Sequence, residues 1–123
     1  MVSTLNWFEI PATDFERATT FYSKVLDAQI HIDPTPNRQY AYLPADAKSG
    51  GFGGAIATGE NFVPATTGTT IYLDGGSDLS VPLARVQAAG GTVILPKTAI
   101  GANGFIALFI DTEGNKVGFH SMG

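Results

Sequence analysis

The amino-acid sequence predicts an α+β fold built from two β-α-β-β-β modules. Short segments in which apolar and polar residues alternate, the pattern of half-buried strands, outnumber the two patterns of helical period. The same order of elements occurs in both halves of the chain, with Asp14 and Asp78 at equivalent helix starts. The 123 residues suffice for one compact domain, which we divide into modules 1–58 and 69–123 joined by a hinge at 59–68.

The first module begins with an alternating strand at residues 5–10, which Pro11 ends because proline cannot donate to a β-ladder. Thr13 and Glu16 have the spacing of a capping box, which predicts a helix start. One face of that helix carries the apolar stripe Ala18, Phe21, Tyr22, Val25 and Leu26. The remaining strands are expected at residues 29–32, 39–43 and 54–57. Because the Gly-rich segment 49–54 lacks Gly-Lys-Ser/Thr and leads into a strand, we interpret it as a tight turn and not as a phosphate loop.

The second module repeats this order. A strand at 69–73 precedes a helix that Ser77 or Asp78 caps and that Gly90-Gly91 ends. The apolar face of this helix consists of Leu79, Leu83 and Val86. Strands are expected at residues 92–95, 105–110 and 116–120. The last two flank the polar turn 111–115, which predicts a β-hairpin.

Alternation along the strands assigns side chains to opposite faces. One face of the last strand carries Lys116, Gly118 and His120, and the other carries Val117, Phe119 and Ser121. In the first strand, Trp7 and Glu9 lie opposite to Phe8 and Ile10. A helix covers only one face of each module, so two modules, from one chain or from two, can close around a cavity lined by their inner faces.

Composition excludes several classes of function. A net charge of -4, a pI near 4.8 and scattered Lys and Arg residues exclude the basic surface that nucleic-acid binding needs. The chain has no cysteine, which excludes disulfides, a thiolate nucleophile and Cys-ligated zinc. We see no signal-peptide pattern and no window close to the roughly 18 apolar residues of a membrane span. We therefore expect a cytoplasmic protein without a membrane partner.

Four segments that cover nearly the whole chain occur in a recognisable order and spacing: NWFEIPATDFERATTFY, GFGGAI, LARVQAAGGTVILPKTAIG and GFIALFIDTEGNKVGFHS. Together they resemble the vicinal oxygen chelate superfamily of glyoxalase I, bleomycin-resistance proteins and extradiol dioxygenases, and most closely its bacterial glyoxalase-like branch. The resemblance implies paired βαβββ modules that form an open, U-shaped β-barrel, and commonly a homodimer. In the enzymes of the superfamily it also implies a divalent metal, held by His, Gln or Glu from the first and last strands of each module.

The ligand positions that the resemblance implies carry other residue types in this chain. The first strand has Trp7, the first strand of the second module has Thr70 within one residue of uncertainty, and the last strand has Gly118 where the enzymes have Glu. Segment 53–57 offers no His, Glu or Gln. Indole and hydroxyl groups do not replace imidazole or carboxylate as metal ligands. We therefore expect no metal cofactor.

Two ionisable residues, Glu9 and His120, remain on the predicted inner face. A carboxylate that orients an imidazole would form a general acid–base pair that needs no metal. The alternatives are that the two residues form a structural hydrogen-bonded pair or that they do not meet.

Other residues are candidates for ligand contact or for purely structural positions. The candidate ligand-binding residues are Trp7, Thr70, Tyr72 and Gly118. Phe52 could extend an aromatic wall, whereas Phe109 is expected in the core and His31 at the surface. Lys97 and Lys116 could contact an anionic ligand, although exposed lysines are the usual case.

These observations predict a homodimeric small-molecule-binding protein of the glyoxalase/bleomycin-resistance kind, which could sequester a toxic compound. The alternative is a glyoxalase-type lyase or isomerase that acts on an α-hydroxycarbonyl or related compound, with Glu9 and His120 as acid and base. In a third interpretation a different strand register lets Glu9 or His120 bind a metal together with Glu60 or Glu113. We disfavour it because Glu60 is in the hinge and Glu113 in a turn.

Overall fold

The computed structural model describes residues 4–45 and 53–123, which form two mixed four-stranded sheets. The first sheet has the order β1-β4-β3-β2 and contains β1 (Trp7–Pro11), β2 (His31–Ile32), β3 (Tyr40–Tyr42) and β4 (Gly53–Ala57). The second has the order β5-β8-β7-β6 and contains β5 (Tyr72–Asp74), β6 (Thr92–Ala99), β7 (Phe105–Ile110) and β8 (Lys116–Ser121). Helix α1 (Phe15–Leu26) follows β1, and the short helix α2 (Ser80–Leu83) follows β5.

The two sheets share one topology, in which the first strand of a module lies parallel to its last strand and the other neighbours are antiparallel. The predicted α+β fold of paired βαβββ modules is confirmed, and the sheets are open, not closed into a barrel. The boundaries 1–58, 59–68 and 69–123 remain predictions.

One hydrophobic core joins the helix-side faces of both sheets. Its fully buried side chains include Phe21, Tyr22 and Val25 of α1, Ile56 of β4, and Phe109 and Phe119 of the second sheet. The predicted alternation is confirmed in β8, where Val117, Phe119 and Ser121 are buried. In β1, Ile10 is buried while Trp7 and Glu9 are exposed on the opposite side. Phe109 lies in the core, as expected.

The start of α1 differs from the prediction. Asp14 is the N-cap, and its side chain accepts a hydrogen bond from the backbone N–H of Arg17. The backbone N–H groups of Thr13 and Asp14 donate to Oε1 of Glu113, at 2.9 and 2.7 Å. The predicted capping box of Thr13 and Glu16 is wrong, because a carboxylate from the turn between β7 and β8 takes the donor that Glu16 would satisfy.

Several element boundaries also differ. Strand β5 begins at Tyr72, so Thr70 precedes it, and β6 continues to Ala99. The pairing of β6 with β7 is irregular between Val93 and Thr98, around Pro96, which has no N–H to donate. Helix α2 has only four residues, so Leu83 belongs to it while Leu79 and Val86 flank it; all three residues of the predicted apolar face contact the core.

Candidate functional site

Both sheets present a face that the helices do not cover. On the first sheet this face carries Trp7, Glu9, Tyr40 and Tyr42, which we call open face one. On the second sheet it carries Tyr72, Ile106, Gly118 and His120, which we call open face two. Trp7 is 45% exposed and Tyr72 is 43% exposed, each at the start of an edge strand.

A chain of two hydrogen bonds runs across open face one. Trp7 Nε1 donates to the Tyr40 hydroxyl at 2.9 Å, and that hydroxyl donates to Glu9 Oε2 at 2.8 Å. Burial raises the pKa of Tyr40, the bond from Trp7 acts in the opposite direction, and the neighbouring Glu9 carboxylate raises the pKa further. The phenol therefore stays protonated at neutral pH and holds the indole and the carboxylate in fixed positions.

Tyr42 is held by a second polar group beside this chain. Its hydroxyl donates to Asp33 Oδ2 at 2.8 Å, and Arg38 Nη1 lies 3.5 Å from the same oxygen. Hydrogen bonds from Thr35, and then the one from Tyr42, lower the pKa of Asp33 to about 2. The carboxylate is therefore ionised at physiological pH. Arg38 also stacks on the ring of Tyr40, with Cζ 4.0 Å from the ring centroid.

The three aromatic rings of open face one touch each other edge to face. The ring centroids of Trp7 and Tyr42 are 6.2 Å apart and those of Tyr40 and Tyr42 are 5.5 Å apart. Sequence reasoning included Trp7 and Glu9 but missed Tyr40 and Tyr42. The sequence pattern that could have identified the two tyrosines is their spacing of two residues, which puts both phenols on one face of a strand.

Open face two borders a cavity of about 480 Å³, lined by Tyr72, Ile100, Asn103, Ile106, His120 and Met122. His120 Nε2 lies 2.6 Å from the carbonyl oxygen of Asn103, so this ring nitrogen carries the proton and donates. The ring of Tyr72 leans over Gly118, its partner in the parallel pairing of β5 and β8.

No protein-family model and no curated protein matches the chain, but many solved structures do. A glyoxalase/bleomycin resistance protein from Albidiferax ferrireducens has 22% identity and a TM-score of 0.70, with 98% of this chain and 100% of that chain covered. The fosfomycin resistance protein FosX from Listeria monocytogenes, in a complex with Mn(II) and a dihydroxypropylphosphonic acid, has 16% identity and a TM-score of 0.71, with 100% and 95% covered. TioX from Micromonospora has 20% identity and a TM-score of 0.68, with 98% and 100% covered.

The chain has the fold of the vicinal oxygen chelate superfamily. The resemblance of the sequence segments is thereby confirmed at the level of the fold. At these identities the similarity shows a shared backbone fold. The ligands named for those proteins are properties of those proteins. Among the helices of residues 4–45 and 53–123, none is long and apolar enough to cross a bilayer.

The vicinal oxygen chelate fold allows the ligand positions to be compared between modules. In register, Trp7 pairs with Gly53 in the first module and Tyr72 pairs with Gly118 in the second. The hydrogen bonds that follow the two strands, from Ala12 N to the Ala57 carbonyl and from Gly75 N to the His120 carbonyl, align Pro11 with Asp74. Thr70 is therefore the counterpart of Trp7, and its role as a site residue remains a prediction. Thr70 is half-buried and lies in the segment that leads into β5.

The ligand positions Trp7, Thr70 and Gly118 do not fit the divalent metal of the superfamily. An indole, a hydroxyl and a glycine supply none of the usual ligands. The indole of Trp7 leans over Gly53, and a Cβ at Gly118 would lie 2.5 Å from the Tyr72 ring, so the rings occupy the space of the missing side chains. Within the described part of the chain, no three His, Cys, Asp or Glu residues cluster as metal ligands. The absence of a metal cofactor remains a prediction.

The two predicted acid–base residues have separate partners in the chain. Glu9 accepts from Tyr40 on the first sheet, whereas His120 donates to Asn103 on the second. They also line different cavities, since Glu9 borders a smaller one of about 170 Å³ and His120 the larger one. Within one chain, Glu9 and His120 are therefore not hydrogen-bonded to each other. Their catalytic roles remain predictions.

The remaining candidates take various positions. His31 is exposed, as expected, and pairs with Tyr42 across β2 and β3. Lys97 forms an ion pair with Asp78 at 2.9 Å and lies over the ring of Phe105. Lys116 lines the smaller cavity together with Glu9. Phe52 and most of segment 49–54 lie outside the described residues.

The two glutamates of the third interpretation are away from the open faces. Glu60 is exposed in the connecting segment. Glu113 is bound to the start of α1, where Arg17 Nε lies 2.7 Å from its Oε2. A carboxylate that caps a helix and pairs with arginine already has its charge compensated.

Proposed function

We propose that this protein binds a small aromatic molecule without a metal ion and acts by sequestering it, as a member of the glyoxalase/bleomycin-resistance superfamily. The observation that carries the proposal is that an exposed aromatic ring lies over a glycine of the neighbouring strand in each sheet: Trp7 over Gly53 and Tyr72 over Gly118. Exposed flat rings can stack on an aromatic ligand, and the fixed hydrogen-bond chain holds those rings in place.

The preorganisation of open face one supports binding as the main role. The polar groups of Trp7, Tyr40 and Tyr42 are all engaged within the protein, so their rings are held before a ligand arrives. Groups that are already fixed lose little conformational entropy when a ligand binds.

A homodimer would complete the site. The helix-side faces of both sheets share one core within the chain, so a cavity enclosed between two open faces requires a second copy. We propose that open face one of one protomer faces open face two of its partner. The two-fold axis of an isologous dimer repeats this contact, so the dimer contains it twice. Each of the two cavities would then be lined by Trp7 and Tyr40 from one side and by Tyr72 and His120 from the other.

The lyase or isomerase alternative is less well supported. It needs Glu9 to orient His120, but Tyr40 is the neighbour of Glu9 and the Asn103 carbonyl is the neighbour of His120. A catalyst would have to exchange these partners when it binds its substrate.

The test is a binding measurement on a compound selected by thermal-shift screening of an aromatic small-molecule library. We expect the same affinity with and without EDTA in isothermal titration. Tyr40→Phe should lower the affinity about fivefold, since it releases both Trp7 and Glu9 from the shared hydroxyl.

Tyr22→Phe is the matched control, because it also removes a phenol–carboxylate hydrogen bond, to Asp111 in the core. It should lower the stability but leave the affinity unchanged. Loss of binding in EDTA, or an equal loss of affinity in both variants, would be incompatible with a metal-free site on open face one.

A further inference from the structure

Open face one already holds a cation against an aromatic ring. The guanidinium carbon of Arg38 lies 4.0 Å from the ring centroid of Tyr40. The face of an aromatic ring carries negative electrostatic potential, so a cation over it is stabilised. The same attraction acts at the neighbouring rings of Trp7 and Tyr42, which are 45% and 36% exposed.

We propose that open face one recognises an organic cation with a flat aromatic body, such as an aromatic amine or quaternary ammonium compound. This inference rests on the proposed binding function and names the chemical class of its ligand. The aromatic body would contact Trp7 and Tyr42, and the positive charge would lie near the carboxylate of Glu9.

The charges around the rings favour a cation over an anion. Two carboxylates, Glu9 and Asp33, lie beside the three rings, against the single guanidinium of Arg38. Asp33 is already engaged by Tyr42, Thr35 and Arg38. Glu9 is exposed and accepts from Tyr40 on Oε2, so its carboxylate is the charge that a ligand can reach.

Among the described residues, Lys116 is a second cation near Glu9. It lines the smaller cavity of about 170 Å³ with Glu9, and the rings of Trp7, Tyr40 and Tyr42 are not part of that lining. The aromatic side of Glu9 therefore keeps its negative potential. With a net charge of -4, the whole chain adds a long-range attraction for cations and not for anions.

Three probes with the same bicyclic skeleton separate charge from shape: N-methylquinolinium is cationic, 1-methylnaphthalene neutral and 1-naphthoate anionic. Trp7 is the one tryptophan of the sequence, so its fluorescence reports on open face one directly. We expect N-methylquinolinium to quench it and to bind at least tenfold more tightly than either of the other two probes, with calorimetry as a second readout.

Glu9→Gln keeps the shape and removes the charge. It should weaken N-methylquinolinium binding about five- to tenfold and leave 1-methylnaphthalene unchanged. Glu16→Gln, an exposed acid on α1, changes the net charge equally and should alter neither affinity by more than about twofold.

The outcomes separate this inference from the proposed function. Binding of 1-methylnaphthalene or 1-naphthoate as tightly as the cation, with quenching of Trp7, would overturn cation selectivity but leave the binding function in place. Failure of all three probes would overturn the inference, and the library screen described above would then decide the binding function by itself.

Discussion

Two glycines in this protein have an aromatic ring where a side chain would be. Gly53 lies under Trp7 and Gly118 under Tyr72, each beside its ring in a pair of parallel strands. A side chain at either glycine would compete with the ring for the same space. The rings and the glycines therefore form a unit, and each glycine is required by its partner ring.

Gly118→Ala should destabilise the protein by about 1–3 kcal/mol, since overpacking a filled site costs energy of this order. The new Cβ would lie 2.5 Å from the Tyr72 ring and 2.9 Å from the backbone oxygen of Ala107. Urea denaturation measures the change. Tyr72→Ala in the same chain removes one of the two obstructions.

The double variant should therefore recover part of the loss, relative to the sum of the single variants. Additive effects of the two substitutions would mean that the backbone at Ala107, and not the ring of Tyr72, resists the added methyl group.

At the scale of the elements, the turn between β7 and β8 anchors helix α1. Asp111 is buried and accepts from the hydroxyl of Tyr22 at 2.7 Å, and Asn115 donates to the carbonyl of Pro11 at 2.8 Å. Glu113 caps the helix start and pairs with Arg17. The second module thus supplies the polar groups that end β1 and begin α1 in the first.

This contact makes the stability depend on pH. Burial acts to raise the pKa of Glu113, but hydrogen bonds from Arg17 and from the backbone at Asp14 and Thr13 outweigh it and lower the pKa from 4.5 to about 2. A carboxyl group with a lowered folded-state pKa stabilises the protein above its unfolded pKa, and the effect is lost as the pH falls toward 2.

We therefore expect Glu113→Gln to lower the free energy of unfolding at pH 7 by about 1–3 kcal/mol, the usual range for hydrogen bonds to a charged group. The difference from the wild type should shrink between pH 4.5 and pH 2, the two pKa values of Glu113. Denaturation at a series of pH values, with Glu16→Gln as the control, measures this. A difference in the free energy of unfolding that stays constant over this pH range would contradict a stabilising role for the Glu113 charge.

At the scale of the whole molecule, the open faces leave large apolar side chains in contact with water. Besides Trp7 and Tyr72, the exposed apolar residues of the second sheet and its flanks are Ile94, Ile100 and Met122, at 40% or more. Exposed apolar patches of this kind mark interaction sites in soluble proteins. The proposed dimer would cover them.

Tyr72→Glu should convert the dimer to a monomer of 12.9 kDa, because it places a carboxylate in the centre of the proposed interface. Val81→Glu adds the same charge on α2, where Val81 is 57% exposed on the helical side, and should leave the dimer intact. Sedimentation equilibrium gives both masses. A wild-type chain that stays monomeric at about 100 μM would remove the basis for a cavity between two copies.

Much of the fold follows from local patterns in the sequence. Alternation in β1 and β8 correctly placed Trp7 and Glu9 on one side and Val117 and Phe119 in the core, because the two-residue period of a strand is a property of the backbone. The apolar stripe of α1 follows equally from a local pattern: Ala18, Phe21, Tyr22 and Val25 are buried as predicted, and Leu26 is partly buried against the core.

The tertiary structure decided the features that depend on distant partners. Glu113 caps α1 from about 100 residues away and displaces the local capping box of Glu16. The register of β5 on β8 puts Tyr72 beside Gly118 and Asp74 beside His120. The three-residue strand β3 brings Tyr40 between Trp7 and Glu9.

The sequence by itself thus determined which faces exist and which residue types they carry, since the periods of strand and helix are local. Only the tertiary structure decided which of those residues touch. Hydrogen-bond partners such as Tyr40 with Glu9, and Asn103 with His120, arise from strand order and register, which join residues far apart in the chain.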